Sequence, residues 1–276
     1  RAVPRLADLQ EPPVVGCHNV QNVLNAFRVS AAPPQREHSK LTSVFLEYRD
    51  WMRLLDIEDV ADLNEAVATG RIREVVLVAE ALQERRIAEI AGKVADRHER
   101  IKVVLIAGPS SAGKTTTTKR LAVQLLARGV RPISIELDNY FLERELTPRL
   151  PDGSYDFESI NALDLPLFNA QMNQLMAGEE VTLPVFNFVT GKREAGRRLS
   201  ITPEHVILVE GIHGLNPQLV EGVPAERLYR VYLSALTQLN IDAHNRVPTT
   251  DSRLIRRIVR DANYRGYSAL QTLQRW

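Results

Sequence analysis

The sequence predicts an α/β fold: a parallel sheet with flanking helices, preceded by a helical connector. Three observations predict it. From residue 100 on, short apolar runs alternate with segments of helical periodicity, the mark of strands joined by helical crossovers. Residues 108–115 read GPSSAGKT, a match to G-x-x-x-x-G-K-[ST], placed between an apolar run and a helix. Residues 41–99 carry apolar positions at steps of three and four and no alternating pattern.

The elements follow in chain order. Residues 1–40 are rich in proline, with Pro12-Pro13 and Pro33-Pro34, and read as a linker or the remnant of an N-terminal domain. Cys17-His18 has no second ligand pair nearby, so it does not make a zinc site. In 41–99, Phe45, Leu46, Tyr48, Trp51, Met52 and Leu55 share one helix face. A turn follows at Asp56–Asp59, then a short helix that Gly70 ends. Ile72, Val75, Val76, Ala79, Leu82, Ile87, Ile90 and Val94 mark a long amphipathic helix whose other face is charged. Strands are expected at 102–107, 132–136, 206–209 and 228–234, and helices at 114–128, 165–177 and 251–262. Nothing after that last helix reads as another strand, so the domain 100–276 is expected to stop before its sheet is complete.

Composition bounds the function. The chain has 276 residues, 44% hydrophobic and 25% charged, an ordinary globular balance with a formal net charge of +1. That charge gives no bulk electrostatic reason to expect a nucleic-acid or membrane partner. One cysteine cannot form an internal disulfide, which fits a reducing, cytoplasmic compartment. No apolar run reaches the ~20 residues that span a bilayer.

The glycine-rich run is where chemistry starts. A strand feeding a glycine turn feeding a helix aims backbone N–H groups and the positive end of the helix dipole at one place, and phosphate binds there. The residues that would cradle it are Gly108, Ser110, Ser111, Ala112, Gly113, Lys114, Thr115 and Thr116. Lys114 would reach the β- and γ-phosphates of ATP and the Thr115 hydroxyl would ligate Mg²⁺. Asp138 ends the second expected strand and Glu210 ends the third. In an open parallel sheet ligands gather at the carboxyl ends of the strands. Carboxylates there accept a proton from an acceptor hydroxyl or hold the metal. In 251–261, Arg253, Arg256 and Arg260 share a helix face suited to a cover that stabilises charge on a moving phosphoryl group.

These residues resemble a known family. GPSSAGKT at 108–115, LDNYF at 137–141, YDFES followed by ALD at 155–164, VEGIHGLN at 209–216 and DSRLIRRIVRD at 251–261 are similar to the uridine kinase and phosphoribulokinase branch of P-loop kinases. ALTQLN at 235–240 and HNRVPTTD at 244–251 resemble the uridine-kinase-like subgroup that follows a threonyl-tRNA-synthetase-like N-terminal region. The resemblance implies a P-loop NTPase fold of the nucleoside-kinase type, with ATP and Mg²⁺ as cofactors. It implies that Asp138 is the general base for a nucleoside 5′-hydroxyl and that Glu210, with Thr115 and Asp138, attends the metal. Arg256 and Arg260 match lid arginines. Tyr140, Glu158, Phe186 and His213 fall where the acceptor would bind, with Glu158 in place of an Asp and Phe186 in place of a Tyr. Glu for Asp adds a methylene and Phe for Tyr deletes a hydroxyl, and losing such a group relaxes or redirects substrate choice. The expected activity is phosphoryl transfer to a nucleoside, with uridine or cytidine as the simplest acceptor. A kinase for another small hydroxylated metabolite and a nucleotide-binding regulatory module are the alternatives. The expected partner is a small-molecule nucleoside, and a homo-oligomer is compatible with the sequence.

Overall fold

The computed structural model describes residues 39–234, 239–242, 245–264, 266–274 and 276. The expectations for 1–38, and for parts of the ALTQLN and HNRVPTTD stretches, lie outside the described residues. The described residues cluster into two compact units, one formed by 39–76 with those of 239–252, the other by 77–234 with those of 253–276.

In the first unit, helix α1 spans Ser39–Leu54 and α2 spans Val60–Ala68. Asp59 fixes the start of α2. Its carboxylate accepts from the Ala61 and Asp62 N–H groups, and the Asp62 carboxylate accepts from the Asp59 N–H. That reciprocal cap satisfies donors that the first helical turn leaves unpaired. Ile57 and Ala66 are buried. The Val60 N–H donates to the Asn240 carbonyl at 3.0 Å, which brings a segment from far along the chain to the same cap.

Helix α3, Ile72–Ala95, begins in the first unit and continues into the second. The second unit then alternates as expected: β1 Val103–Ala107, α4 Lys114–Leu126, β2 Arg131–Glu136, α5 Leu165–Met176, β5 His205–Gly211 and β6 Leu228–Tyr232. Between α5 and β5 lies a feature absent from the sequence expectation, an antiparallel hairpin of β3 Val181–Asn187 and β4 Lys192–Leu199. Its second strand carries five charged residues and alternates weakly, so neither period stands out.

The main sheet has the order β2-β5-β1-β6 and every pair is parallel. Both faces are covered, as such a sheet requires. On one face Val103, Leu105, Ile207 and Val209 pack with Phe168, Met172 and Leu175 of α5 and with Leu183 and Phe186 of β3. On the other, Val104, Ile106, Val206 and Leu208 meet Leu121 and Leu125 of α4 and Ile87, Ala91 and Val94 of α3. Each of these large side chains contributes about 2 kcal/mol when fully buried. The two faces come from strict alternation along β1 and β5, which explains why these strands read as continuous apolar runs. Helix α6, Thr249–Tyr264, and α7, Ala269–Gln274, close the described chain. Among the described residues no helix is long and apolar enough to cross a membrane.

Candidate active site

The phosphate loop leaves β1 at Ala107 and enters α4 at Lys114. Its backbone is dictated by a few positions. A Cβ at Gly108 would come within 2.6 Å of the Leu233 carbonyl, so only glycine lets the loop pass this close to the end of β6. Gly113, at φ 93°, caps α4 in the left-handed region, where glycine carries no penalty. Ser111 also has a positive φ, 61°. A non-glycine residue held there costs on the order of 1–3 kcal/mol and persists only where its surroundings over-determine it. Its hydroxyl is buried and has no hydrogen-bond partner.

The sheet register sets what faces this loop. Glu210 lies beside Ile106 on one side and Glu136 on the other, one residue before the end of β5. Its Oε1 accepts from the Thr115 hydroxyl at 2.8 Å, while Oε2 is buried without a partner. Burial pushes the Glu210 carboxyl above the usual range; the Thr115 hydrogen bond and Lys114 oppose this, and the Glu136 and Asp138 charges reinforce it. Asp138 sits in the single 3₁₀ turn Leu137–Tyr140 that follows β2. It is close enough to Lys114 to raise the ammonium pKa, as Glu210 does, against the larger lowering caused by burial. Arg260 and Arg253 lower it further. The Lys114 ammonium donates to the Pro109 carbonyl at 3.2 Å. Asp138 and Glu210 thus stand at the carboxyl edge of the sheet, on the same side as the phosphate loop.

The arginines arrive from α6. The Arg253 Nε donates to the Ser110 carbonyl at 3.0 Å. Arg256 is exposed, and its Nη2 lies 3.3 Å from where a Gly113 Cβ would be, so it spans the mouth of the loop. Arg260 donates through Nε and Nη2 to the Asp261 carboxylate at 3.0 and 2.8 Å. Thr116 is exposed on the first turn of α4, and Ala112 donates its N–H to the Pro109 carbonyl.

Two expected acceptor contacts need correction. Tyr140 is 1% exposed, and its hydroxyl donates to Gln171 Oε1 at 2.8 Å. Gln171 in turn donates to the Thr182 carbonyl, so Tyr140 ties the Asp138 turn to α5 and β3 and has no surface for a ligand. Burial raises its hydroxyl pKa well above the usual value. Phe186 is 5% exposed and packs edge-on to Phe141 and Phe188 in the core. Alternation along β3 explains this, since positions 181, 183 and 186 point inward across a register shift. The rings that do reach the surface are Phe157 and Phe188, both packed on Phe141. Neither stood out in the sequence, where an isolated Phe in a loop carries no periodicity signal.

Glu158 is exposed, with its N–H bound to the Asp156 carboxylate. His213 follows β5, and burial lowers its pKa against the main chain of Glu158 and Ser159 and the charges of Asp138 and Glu158. Its Nε2 is buried without a partner. The ring therefore braces the 158–159 segment.

A parallel sheet carrying this loop after its β1 strand, with a carboxylate of β5 on the loop threonine, defines a phosphate-loop α/β protein. Residues 103–276 match the phosphoribulokinase / uridine kinase family, and the chain belongs to that family. The family suggests a phosphotransferase and implies ATP as phosphate donor. Its relatives include a uridine kinase of Deinococcus deserti, 26% identical over 179 residues, covering 65% of this chain and 77% of the relative. An Arabidopsis thaliana protein, inorganic pyrophosphatase TTM2, is 30% identical over 126 residues, 46% of this chain but 17% of that protein's length. Among solved structures, a putative fructose transport system kinase from Silicibacter sp. TM1040 superposes with a TM-score of 0.50 at 21% identity, covering 68% of this chain and 87% of that one. That likeness supports the fold.

Proposed function

We propose that the chain is an ATP- and Mg²⁺-dependent kinase acting on a hydroxyl of a nucleoside, in the simplest case the 5′-hydroxyl of uridine or cytidine. The observation that carries this is the 2.8 Å bond from the Thr115 hydroxyl to Glu210, with Lys114 and Asp138 at the same sheet edge. The residues fit the groups the family implies. The buried hydroxyl of Ser111 and the Glu210 Oε2 lack partners inside the protein, and the glycine at 113 leaves the loop open beneath Arg256. The Ser111 hydroxyl and the loop N–H groups would face phosphate oxygens, and the Thr115 hydroxyl, Glu210 and Asp138 would attend the cation. When bound, Mg²⁺ neutralises charge on the donor phosphates.

The chain's own residues do the rest. Lys114 holds the terminal phosphates. Asp138 accepts the proton of the acceptor hydroxyl. Arg256 and Arg260 meet charge on the transferring group, and Glu158 and His213 belong to the acceptor side, His213 through the loop it braces. Catalysis of this kind is mainly positioning and charge stabilisation. The organisation we propose alongside it is a linker or domain remnant at 1–40, a helical connector at 41–99 and the kinase domain from 100. We infer the synthetase-fused subgroup from the likeness of ALTQLN at 235–240 and HNRVPTTD at 244–251, and the lone cysteine suits a cytoplasmic protein.

ADP release measured against a panel of nucleosides and sugars tests the reading. Release that depends on a nucleoside is expected. Release driven by a sugar alone would point to a metabolite kinase, and binding of ATP without acceptor-dependent release would make the chain a regulatory module.

A further inference from the structure

The arginine face of α6 presents a physical problem. Arg253, Arg256, Arg257 and Arg260 crowd two turns of one helix, Arg253 and Arg260 close enough to Lys114 to act on its charge, and cations at such spacing repel unless something holds them. Two residues outside the family-derived site do this. Asp261 is 2% exposed and receives both donors of Arg260 on Oδ1. Its Oδ2 lies 3.6 Å from the Arg257 Nε, an ion pair rather than a hydrogen bond, and 3.5 Å from the Thr272 hydroxyl. The Asp261 carbonyl accepts from the Tyr267 N–H. Asp261 therefore joins α6 to the turn after it through its main-chain carbonyl and to α7 through its carboxylate. Trp276 supplies the second support. The guanidinium carbons of Arg253 and Arg257 lie 5.1 and 5.5 Å from its ring centroid, within the range of cation–π attraction. Arg253 is also the residue bound to the Ser110 carbonyl, so the indole connects this support directly to the phosphate loop.

We propose that Asp261 and Trp276 are positioning residues that set the arginine row of α6 over the phosphate loop before any ligand arrives. The proposal rests on the kinase reading in giving that row its task, but the pre-setting itself does not depend on turnover. A buried carboxylate fixes the inner arginines in one rotamer. The indole holds Arg253 beside Arg257 without neutralising it, so the Arg253 charge at the phosphate loop stays available to an anion. Asp261 is the only buried acidic residue on α6 among the described residues, which concentrates the effect in one side chain.

The test uses Trp276 as its own reporter. The chain has two tryptophans, so in a W51F background the emission comes from Trp276 alone. Substitutions D261N, T272V, W276A and W276F are compared, with circular dichroism as the check on folding. D261N should shift Trp276 emission without nucleotide, because Arg257 is released from its anchor, and ADP should shift the emission of the parent protein. T272V, a milder change to the same carboxylate, should shift emission in the same direction and by less; it decides the point if D261N does not fold. In turnover, W276A should lower kcat by about tenfold with KM for ATP within about threefold, and W276F, which keeps a ring face, should recover most of the loss. Unchanged emission in folded D261N and T272V would overturn the proposal, as would W276F failing like W276A. A parent protein with no acceptor-dependent ADP release would defeat the kinase reading alone, since the emission arms still decide the pre-setting.

Discussion

The phosphate loop and the arginine helix bring positive charge to the same place by opposite means. The loop is one continuous stretch whose strand is wholly buried and whose helix presents four buried side chains. Its cation, Lys114, is held by the loop's own Pro109 carbonyl. The arginine helix joins the loop from 143 residues further along the chain, through Arg253 and Ser110. In α6 and α7 only Asp261 and Thr272 are buried among the described residues, while Ile255, Val259, Leu270 and Leu273 remain exposed. Local stability follows buried contact, so the loop belongs to the strong end of the fold and the arginine cover to the weak end. Covers that open for substrate come from that weak end. The difference teaches that two elements can share a charge without sharing stability.

Breaking the strong side should cost most. Lys114→Ala is expected to abolish transfer, by 10³-fold or more, because it removes the cation on the donor phosphates from a site that is otherwise preorganised. Near-normal kcat in that variant would mean the loop is not the donor site. Asp138→Asn should come next, lowering kcat by about 10²- to 10⁴-fold, the usual span for a lost general base, with ATP binding retained. Titration calorimetry with ADP would show whether the loss lies in chemistry or in binding.

The weak side should respond differently. Arg260→Ala is expected to lower kcat by about 10²-fold while ATP affinity stays within a few-fold, the pattern of an interaction made mainly in the transition state. Equal losses in both would make Arg260 a ground-state ligand, and the comparison would collapse into one rigid site. Thr115→Ala tests the loop side once more. It removes the donor to Glu210 and should raise the Mg²⁺ concentration needed for half-maximal turnover, measured by a simple metal titration.

The same contrast governs how much could be read in the sequence. The loop was legible because its constraints are local: an apolar run, glycines where φ turns positive, a helix after them. The four parallel strands were legible too, since a strand buried on both faces reads as a continuous apolar run. The β3–β4 hairpin was not, because its partly exposed second strand alternates charges without a clear apolar face. Tyr140 and Phe186 were read as ligand contacts through their place in matching motifs. Side-chain direction on a short turn and across a register shift is a tertiary property, and the core claimed both. Asp261 sat in plain view inside an arginine-rich run, where an acidic residue reads as a solvated partner; its burial depends on α7 folding back against it.

The smallest effect concerns Glu210, and its sign separates a functional carboxylate from a structural one. Burial raises the Glu210 pKa above its ordinary value of 4.5, and the Thr115 hydrogen bond only partly offsets this. A raised folded-state pKa means that the native protein holds its proton more tightly than the unfolded chain does. The stabilisation is therefore full below the unfolded pKa and is lost as pH rises through the folded value, so at neutral pH the ionised side chain weakens the fold. Glu210→Gln keeps an acceptor for the Thr115 hydroxyl and removes the charge. It should raise Tm at pH 7 by a few degrees and flatten the fall in stability as pH rises above the ordinary carboxyl range. The same variant should need more Mg²⁺ for turnover. A lower Tm would show that the carboxylate is held by the surrounding cations and contributes to the fold, which would move Glu210 from the ligand's side of the site to the scaffold's. A higher Tm with a raised Mg²⁺ requirement would identify a group kept at a cost to stability, as expected where a buried charge waits for a cation.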